Sequence, residues 1–249
     1  MKFRTKLAGA VAALVLVAGP ANAAVLNPST GNGAVLVAIW DGVKSVVVDL
    51  SQVTAVGGAS PSGIRFNSAN TGQSFDLSSY MTAAGITIAN AQFMVFSGDS
   101  TGVGASNGQG LLSTVGSGDY TVTDATTVAS IAGNLNLFSL NELNGTCSGA
   151  VNCAATANTA TNYWSESDWF TSVAWNAAGS VGGAALDMYK WVNAAGTTTA
   201  SRFGAASLAS NGTLSIAAVP LPAAGWLLLS GLGGLGAAVR RRRRAPVAA

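Results

Sequence analysis

The spacing of apolar and polar residues divides the chain into two charge-flanked apolar ends and a long middle made of short apolar runs. In that middle, Ala34-Val35-Leu36-Val37-Ala38-Ile39-Trp40 and Ser45-Val46-Val47-Val48-Asp49-Leu50 are β-branched runs flanking Asp41-Gly42. Asp-Gly between two such runs signals a hairpin, here with room for a turn longer than two residues. Ile86 to Phe96 and Tyr120-Thr121-Val122-Thr123 predict further strands, separated by the glycine-rich loop Ser97 to Gly110. Near the end, Ser207 to Ser210 and Thr213 to Ile216 flank Asn211-Gly212, which predicts a two-residue type I′ turn. One segment departs from the β pattern: Thr127 to Leu143 spaces Val128, Ile131, Leu135 and Leu137 to Leu140 in a way that fits a helix despite Gly133. No repeat of fixed period is present. Short strands with frequent turns predict a mainly β fold, an antiparallel β-sandwich or jelly-roll-like domain over residues 24–218.

The two ends read differently. Lys2, Arg4 and Lys6 precede the apolar stretch Leu7 to Ala18, and Ala21-Asn22-Ala23 forms an A-x-A cleavage site, so residues 1–23 read as a secretory signal peptide cut after Ala23. At the other end Ala223 to Val239 is 17 residues without a charge, followed by Arg240, Arg241, Arg242, Arg243 and Arg244. As a helix this span is roughly 26 Å long, the lower limit for crossing a hydrocarbon core. Pro222 suits the first turn of that helix, Trp226 suits the outer interface, and the arginines stop on the cytoplasmic side. Glycines 231, 233, 234 and 236 weaken the span and allow close packing against another membrane protein. A permanent anchor and a transient signal share all of these features.

Charge changes the picture once the ends are set aside. The whole chain is +2, but eight of its twelve basic residues lie in the terminal segments. From Ala24 to Val219 the four cations Lys44, Arg65, Lys190 and Arg202 stand against all ten acids, 4 − 10 = −6. Four scattered cations cannot neutralise a run of phosphates, so no nucleic-acid partner is expected. The chain contains no histidine. That excludes Ser-His-Asp and Cys-His nucleophilic systems, histidine-ligated zinc and histidine general bases. No catalytic residues are assigned and the protein is expected not to be an enzyme.

Three constellations remain. Cys147 and Cys153 enclose five residues including Gly149, and in an exported chain they read as a disulfide. Tyr163 to Phe170 places Glu166 and Asp168 among four aromatics, where Trp164 and Trp169 offer a carbohydrate-contact platform; the plainer reading has Trp169, Trp175 and Trp191 anchoring a core. Gly98-Asp99-Ser100-Thr101-Gly102, with Asp119 and Asp124, supplies oxygen atoms of the kind calcium takes, without the spacing or closing Glu of an EF-hand. Structural calcium is the one cofactor this leaves, with no ligand set named. Gly102-x-Gly104 lacks the continuation of a nucleotide loop.

Val219-Pro220-Leu221-Pro222-Ala223, the glycine-rich apolar span and the arginine cluster together resemble the VPLPA variant of the PEP-CTERM protein-sorting domain, over residues 219–245. The opening hairpin and the segment Phe203 to Ile216 also resemble ectodomains that bear such tails, which brings no activity with it. The resemblance implies an exported protein of a Gram-negative bacterium that makes exopolysaccharide, processed by exosortase, a multi-pass membrane transpeptidase. It implies that Val219 to Pro222 are recognised, that residues 223–239 hold the chain in the inner membrane, and that the arginines stop transfer. The final location would be the cell surface or an extracellular, biofilm-type matrix, with exopolysaccharide or other matrix proteins as partners. Leu221 departs from the commoner form, which has Glu there. A carbohydrate-binding or carbohydrate-active protein is the alternative, and fibre assembly by strand exchange a third.

Overall fold

The computed structural model describes residues 31–101, 109–116, 152–155, 177–194 and 196–219, with 152–155 described by their backbone. The expected signal peptide with Ala21 and Ala23, the helical pattern at Thr127 to Leu143, the predicted strand at Tyr120 to Thr123, the aromatic segment Tyr163 to Phe170 and everything from Pro220 onward lie outside those residues.

The protein is mainly β, and its antiparallel sheet curls into a half-barrel. In chain order the strands are β1 (Leu36–Trp40), β2 (Ser45–Asp49), β3 (Gln73–Asp76), β4 (Gln92–Asp99), β5 (Gly110–Val115), β6 (Asn152–Ala155), β7 (Gly179–Ser180), β8 (Leu186–Ala194), β9 (Thr197–Leu208) and β10 (Thr213–Ala218). All belong to one sheet, ordered β3-β10-β9-β8-β5-β4-β1-β2-β6, with β7 beside the start of β4. A short helix, α1 (Ser78–Ala84), follows β3.

The two apolar runs of the opening hairpin pair as predicted, with Trp40 opposite Ser45 and Leu36 opposite Asp49. The loop is longer than the Asp41-Gly42 dipeptide. Asp41 Oδ1 accepts the amides of Val43 (2.9 Å) and Lys44 (2.7 Å), and Asp41 N–H donates to the Lys44 carbonyl (3.1 Å), so one side chain satisfies a turn that would otherwise leave donors open. The predicted two-residue turn at Asn211-Gly212 is instead a three-residue loop. Ala209 N–H donates to Thr213 O and Gly212 N–H to Ala209 O, both at 2.9 Å, and Gly212 has φ +87°. That geometry follows a turn with a left-handed residue, and only glycine fits, because a Cβ there would lie 2.6 Å from Ser78 Cα.

Two other expectations shift. Ile86 to Phe96 is not one strand: Ile88–Asn90 is a 3₁₀ turn, and the strand runs over Gln92–Asp99. The segment ahead of it is α1, closed by Gly85 at φ +68°, whose N–H donates to Thr82 O while Ile86 N–H reaches Met81 O. A left-handed glycine with this crossed pair of bonds is the usual helix stop. Correspondingly, Ser97 to Asp99 belong to β4, so the glycine-rich loop begins later than the composition suggested.

Packing follows the residue pattern. On β10, TLSIAA alternates, with Leu214 and Ile216 buried and Ser215 half-buried. On β1 and β2 every residue is buried, and the runs are correspondingly apolar without alternation. Val37, Ile39, Val46, Val48, Phe93 and Val95 join Phe75, Leu77, Met81, Leu208, Leu214 and Ile216 in one core. Leu36, Ala38, Met94 and Phe96, on the opposite face of β1 and β4, are also buried, as are Leu111 on β5 and Trp191 on β8. The sheet is thus covered on both faces at its β1–β4 region and on one face around β10.

Candidate functional site

Because β10 precedes the proline-containing stretch in the sequence, the candidate site begins at the end of that strand. Ala218 pairs with Gly204 on β9, and Val219, at 39 % exposure, is the first residue beyond the ladder. The exit is held by Asn70. Its Nδ2 donates to the carbonyls of Phe203 and Ala217, both at 2.9 Å, and its Oδ1 accepts the Gly72 amide at 3.0 Å. Glycine is required at 204, since a Cβ would stand 2.3 Å from both Ala217 O and Asn70 Nδ2. Next to this exit an open groove of about 470 Å³ runs between Val56, Gly72 to Ser74 and Ser215 to Ala217. Ser74 and Ser215 share a hydroxyl–hydroxyl bond of 3.1 Å across its floor, and Val56, 64 % exposed, forms part of its rim.

A second polar cluster lies at the C-terminal end of β4. Asp99, 7 % exposed, uses Oδ1 to accept Thr101 N–H (3.0 Å) and Thr101 Oγ1–H (2.6 Å). Lys190 Nζ donates to Phe66 O and Asn67 Oδ1, both at 3.0 Å, and lies 4.1 Å from the Phe66 ring centre. Burial holds its pKa below the ordinary lysine value, against the opposing field of Asp99. Of the calcium candidates, Gly98 to Thr101 are placed here, with the carboxylate engaged by its own turn; Gly102, Asp119 and Asp124 lie outside the described residues. Among the described residues no three His, Cys, Asp or Glu side chains gather as a metal-binding group.

Asp49 closes β2 with no exposed surface. Its Oδ1 accepts the Ser51 amide at 2.8 Å, while Oδ2 has no hydrogen-bond partner. Burial pushes its pKa up, opposed by the Ser51 bonds and by the charge of Arg65. The opposite balance holds at Asp41, where burial is outweighed by donors from Thr87, Lys44 and Val43, so the pKa falls below the usual carboxylate value.

No protein-family model, curated protein or solved structure matches the chain. The comparisons therefore lend no residue a role, and the site stands on its own geometry.

The structure brings few of the sequence-predicted site residues together. Val219 is placed at the exit; Pro220, Leu221, Pro222, Ala223 and Arg240 to Arg244 lie outside the described residues. Cys153 sits on β6 opposite Val47, and its expected partner Cys147 is outside. Trp164 and Trp169 are outside as well, while Trp191 is fully buried on β8. Among the described residues no helix is long and apolar enough to cross a membrane; residues 223–239 are not among them. Asn70 and Gly204, which fix the exit, had no local signal. Asn70 takes its role from partners more than a hundred positions away, and Gly204 from its close approach to Ala217 and Asn70.

Proposed function

We propose that the protein is an exported, non-enzymatic cell-surface or extracellular-matrix protein whose C-terminal segment is an address read by an exosortase-type membrane transpeptidase. The observation that carries this reading is the coincidence of two boundaries. Among the described residues the last pair of the β9–β10 ladder is Ala218–Gly204, and the exposed Val219 that follows opens the VPLPA stretch. The β9–β10 ladder thus stops at the residue before the VPLPA stretch, so a membrane enzyme acting beyond Val219 need not open it. On this reading residues 1–23 direct export, residues 223–239 hold an inner-membrane intermediate, and Arg240 to Arg244 keep it from crossing completely. The mature domain then passes to the surface or to an exopolysaccharide-containing matrix. Burial of β1 and β4 on both faces supports the finer fold reading, a sandwich-like domain with a second layer over that part of the sheet.

The test is the mass of the terminal peptides of the mature protein isolated from producing cells. The expected form begins at Ala24 and lacks the arginine cluster, and its C-terminal peptide reports the cut and any attached group together. Recovery of only full-length chain in the membrane fraction would reject the sorting role and leave a plain anchor.

A further inference from the structure

β9 is longer than the strand that covers it. β10 pairs with Gly204 to Leu208, whereas β8 pairs with β9 from Thr197 to Ala206. Among the described residues the outer edge of β9 from Thr197 to Phe203 has no neighbouring strand. Asn70 takes the Phe203 carbonyl, so the open part reduces to Thr197–Arg202.

The direction of each backbone group along this edge follows from its neighbours. Asn193 N–H donates to Gln109 O (2.9 Å), so Asn193 is turned towards β5 and the alternate residues Val192 and Lys190 towards β9. Their partners Thr199 and Ser201 are therefore bonded to β8. Thr198, Ala200 and Arg202 direct their N–H and C=O groups outward.

We propose that this edge pairs with the same edge of a second copy, antiparallel and about a twofold axis through Ala200. In that register Ala200 meets Ala200 of the second copy, and Thr198 meets Arg202 in each direction. Every outward N–H finds a carbonyl, which is the isologous contact that closes a dimer and does not propagate. The side chains favour a like partner. Three consecutive threonines suit a strand, and the smallest side chain of the six lies on the axis. The edge's one charge, Arg202, is paired within its own chain to Asp187, and in this register it faces a neutral threonine. No lysine or proline, the residues that usually protect an edge, occurs from Thr197 to Ser201.

Two substitutions at Ala200 test the pairing, with the full-length chain in mild detergent. Ala200→Pro removes an N–H that the β8 ladder does not use, so the fold should survive, with parental circular dichroism. Sedimentation velocity is expected to show a reversible dimer for the parent and at least about tenfold weaker association for Ala200→Pro. A parent that stays monomeric over its soluble range, or a folded Ala200→Pro chain that dimerises like the parent, overturns the proposal. If the proline variant does not fold, thiol pairing decides. Directly opposed residues of a bonded pair lie about 5.5 Å apart at Cα, within disulfide reach. Equivalent residues at position 199 stand diagonally, about 7–8 Å apart, at or beyond that reach. Mild oxidation should therefore give a covalent dimer through Ala200→Cys and not through Thr199→Cys, with peptide mapping to separate these bonds from those of Cys147 and Cys153. The reverse outcome, or cross-linking of neither, also overturns it.

Discussion

Asp41 organises the opening hairpin with two oxygens and three backbone donors: Val43 and Lys44 on Oδ1, and Thr87 on Oδ2 at 2.7 Å. Removing it frees donors in two separate loops, so Asp41→Ala is expected to cost about 1–3 kcal/mol, measured by urea denaturation near neutral pH. Its folded pKa lies below 3.8, so this contribution is present above that value and fades as pH falls through the folded pKa. Asp49 has the opposite sign. Its folded pKa lies above 3.8, the folded state holds the proton more tightly, and stability declines as pH rises from 3.8 through the raised value. Asp49→Asn keeps an acceptor for Ser51 and should abolish that decline; an unchanged pH profile in the variant would show that Asp49 does not cause it. Two glycines separate strain from collision. Gly42 has φ +89° and open space where a Cβ would stand, with nothing within 4 Å, so Gly42→Ala should cost about 1–2 kcal/mol from conformation alone. Gly212→Ala adds contact with the backbone of Ser78 at 2.6 Å and is expected to cost more, readable as a larger fall in Tm.

Among the elements, β10 shows most directly how pattern becomes packing. Leu214 has no exposed surface and belongs to the core, whereas Ser215, one position on, faces the groove and bonds Ser74. Leu214→Ala is expected to destabilise by about 2–5 kcal/mol and Ser215→Ala by about 0.5–1.5 kcal/mol, so equal losses in denaturation would contradict this register. Alternation in TLSIAA made this strand legible, as continuous β-branched runs did for β1 and β2. The pattern failed where an apolar run crosses an element boundary. Ile86 and Ile88 precede β4 in a helix stop and a 3₁₀ turn, and periodicity alone does not separate such residues from a strand. The visible signal there was Gly85, a left-handed stop with Ala83 and Ala84 before it. At Asn211-Gly212 the residues marked the turn correctly, but loop length depended on which strand residues closed the ladder.

For the whole molecule, strand order was the least legible property, since it depends on pairings between distant segments. β3 is next to β10 and β1 next to β4, and nothing local at Phe75 or Asn70 announces partners near the end of the chain. Of the candidate site, the linear stretch Val219 to Ala223 stands out in the sequence, and the contacts of Asn70 and Gly204 ahead of it do not. A chain truncated after Ser210 loses Leu214 and Ile216 from the core and bares the edge of β3. Such a chain is expected to be digested by protease under conditions where the full chain resists, with β3 among the first regions cut. The same pairing sets a delay. Ser74 and Ser215 are 141 positions apart, and at common synthesis rates the first waits roughly 7–28 s for the second to be made. Throughout that interval Phe75 and the β3 edge lack the cover they have in the finished fold. The vulnerability ends only when β10 is made, so a ribosome that stalls before Thr213 leaves behind a sticky, unfinished sheet.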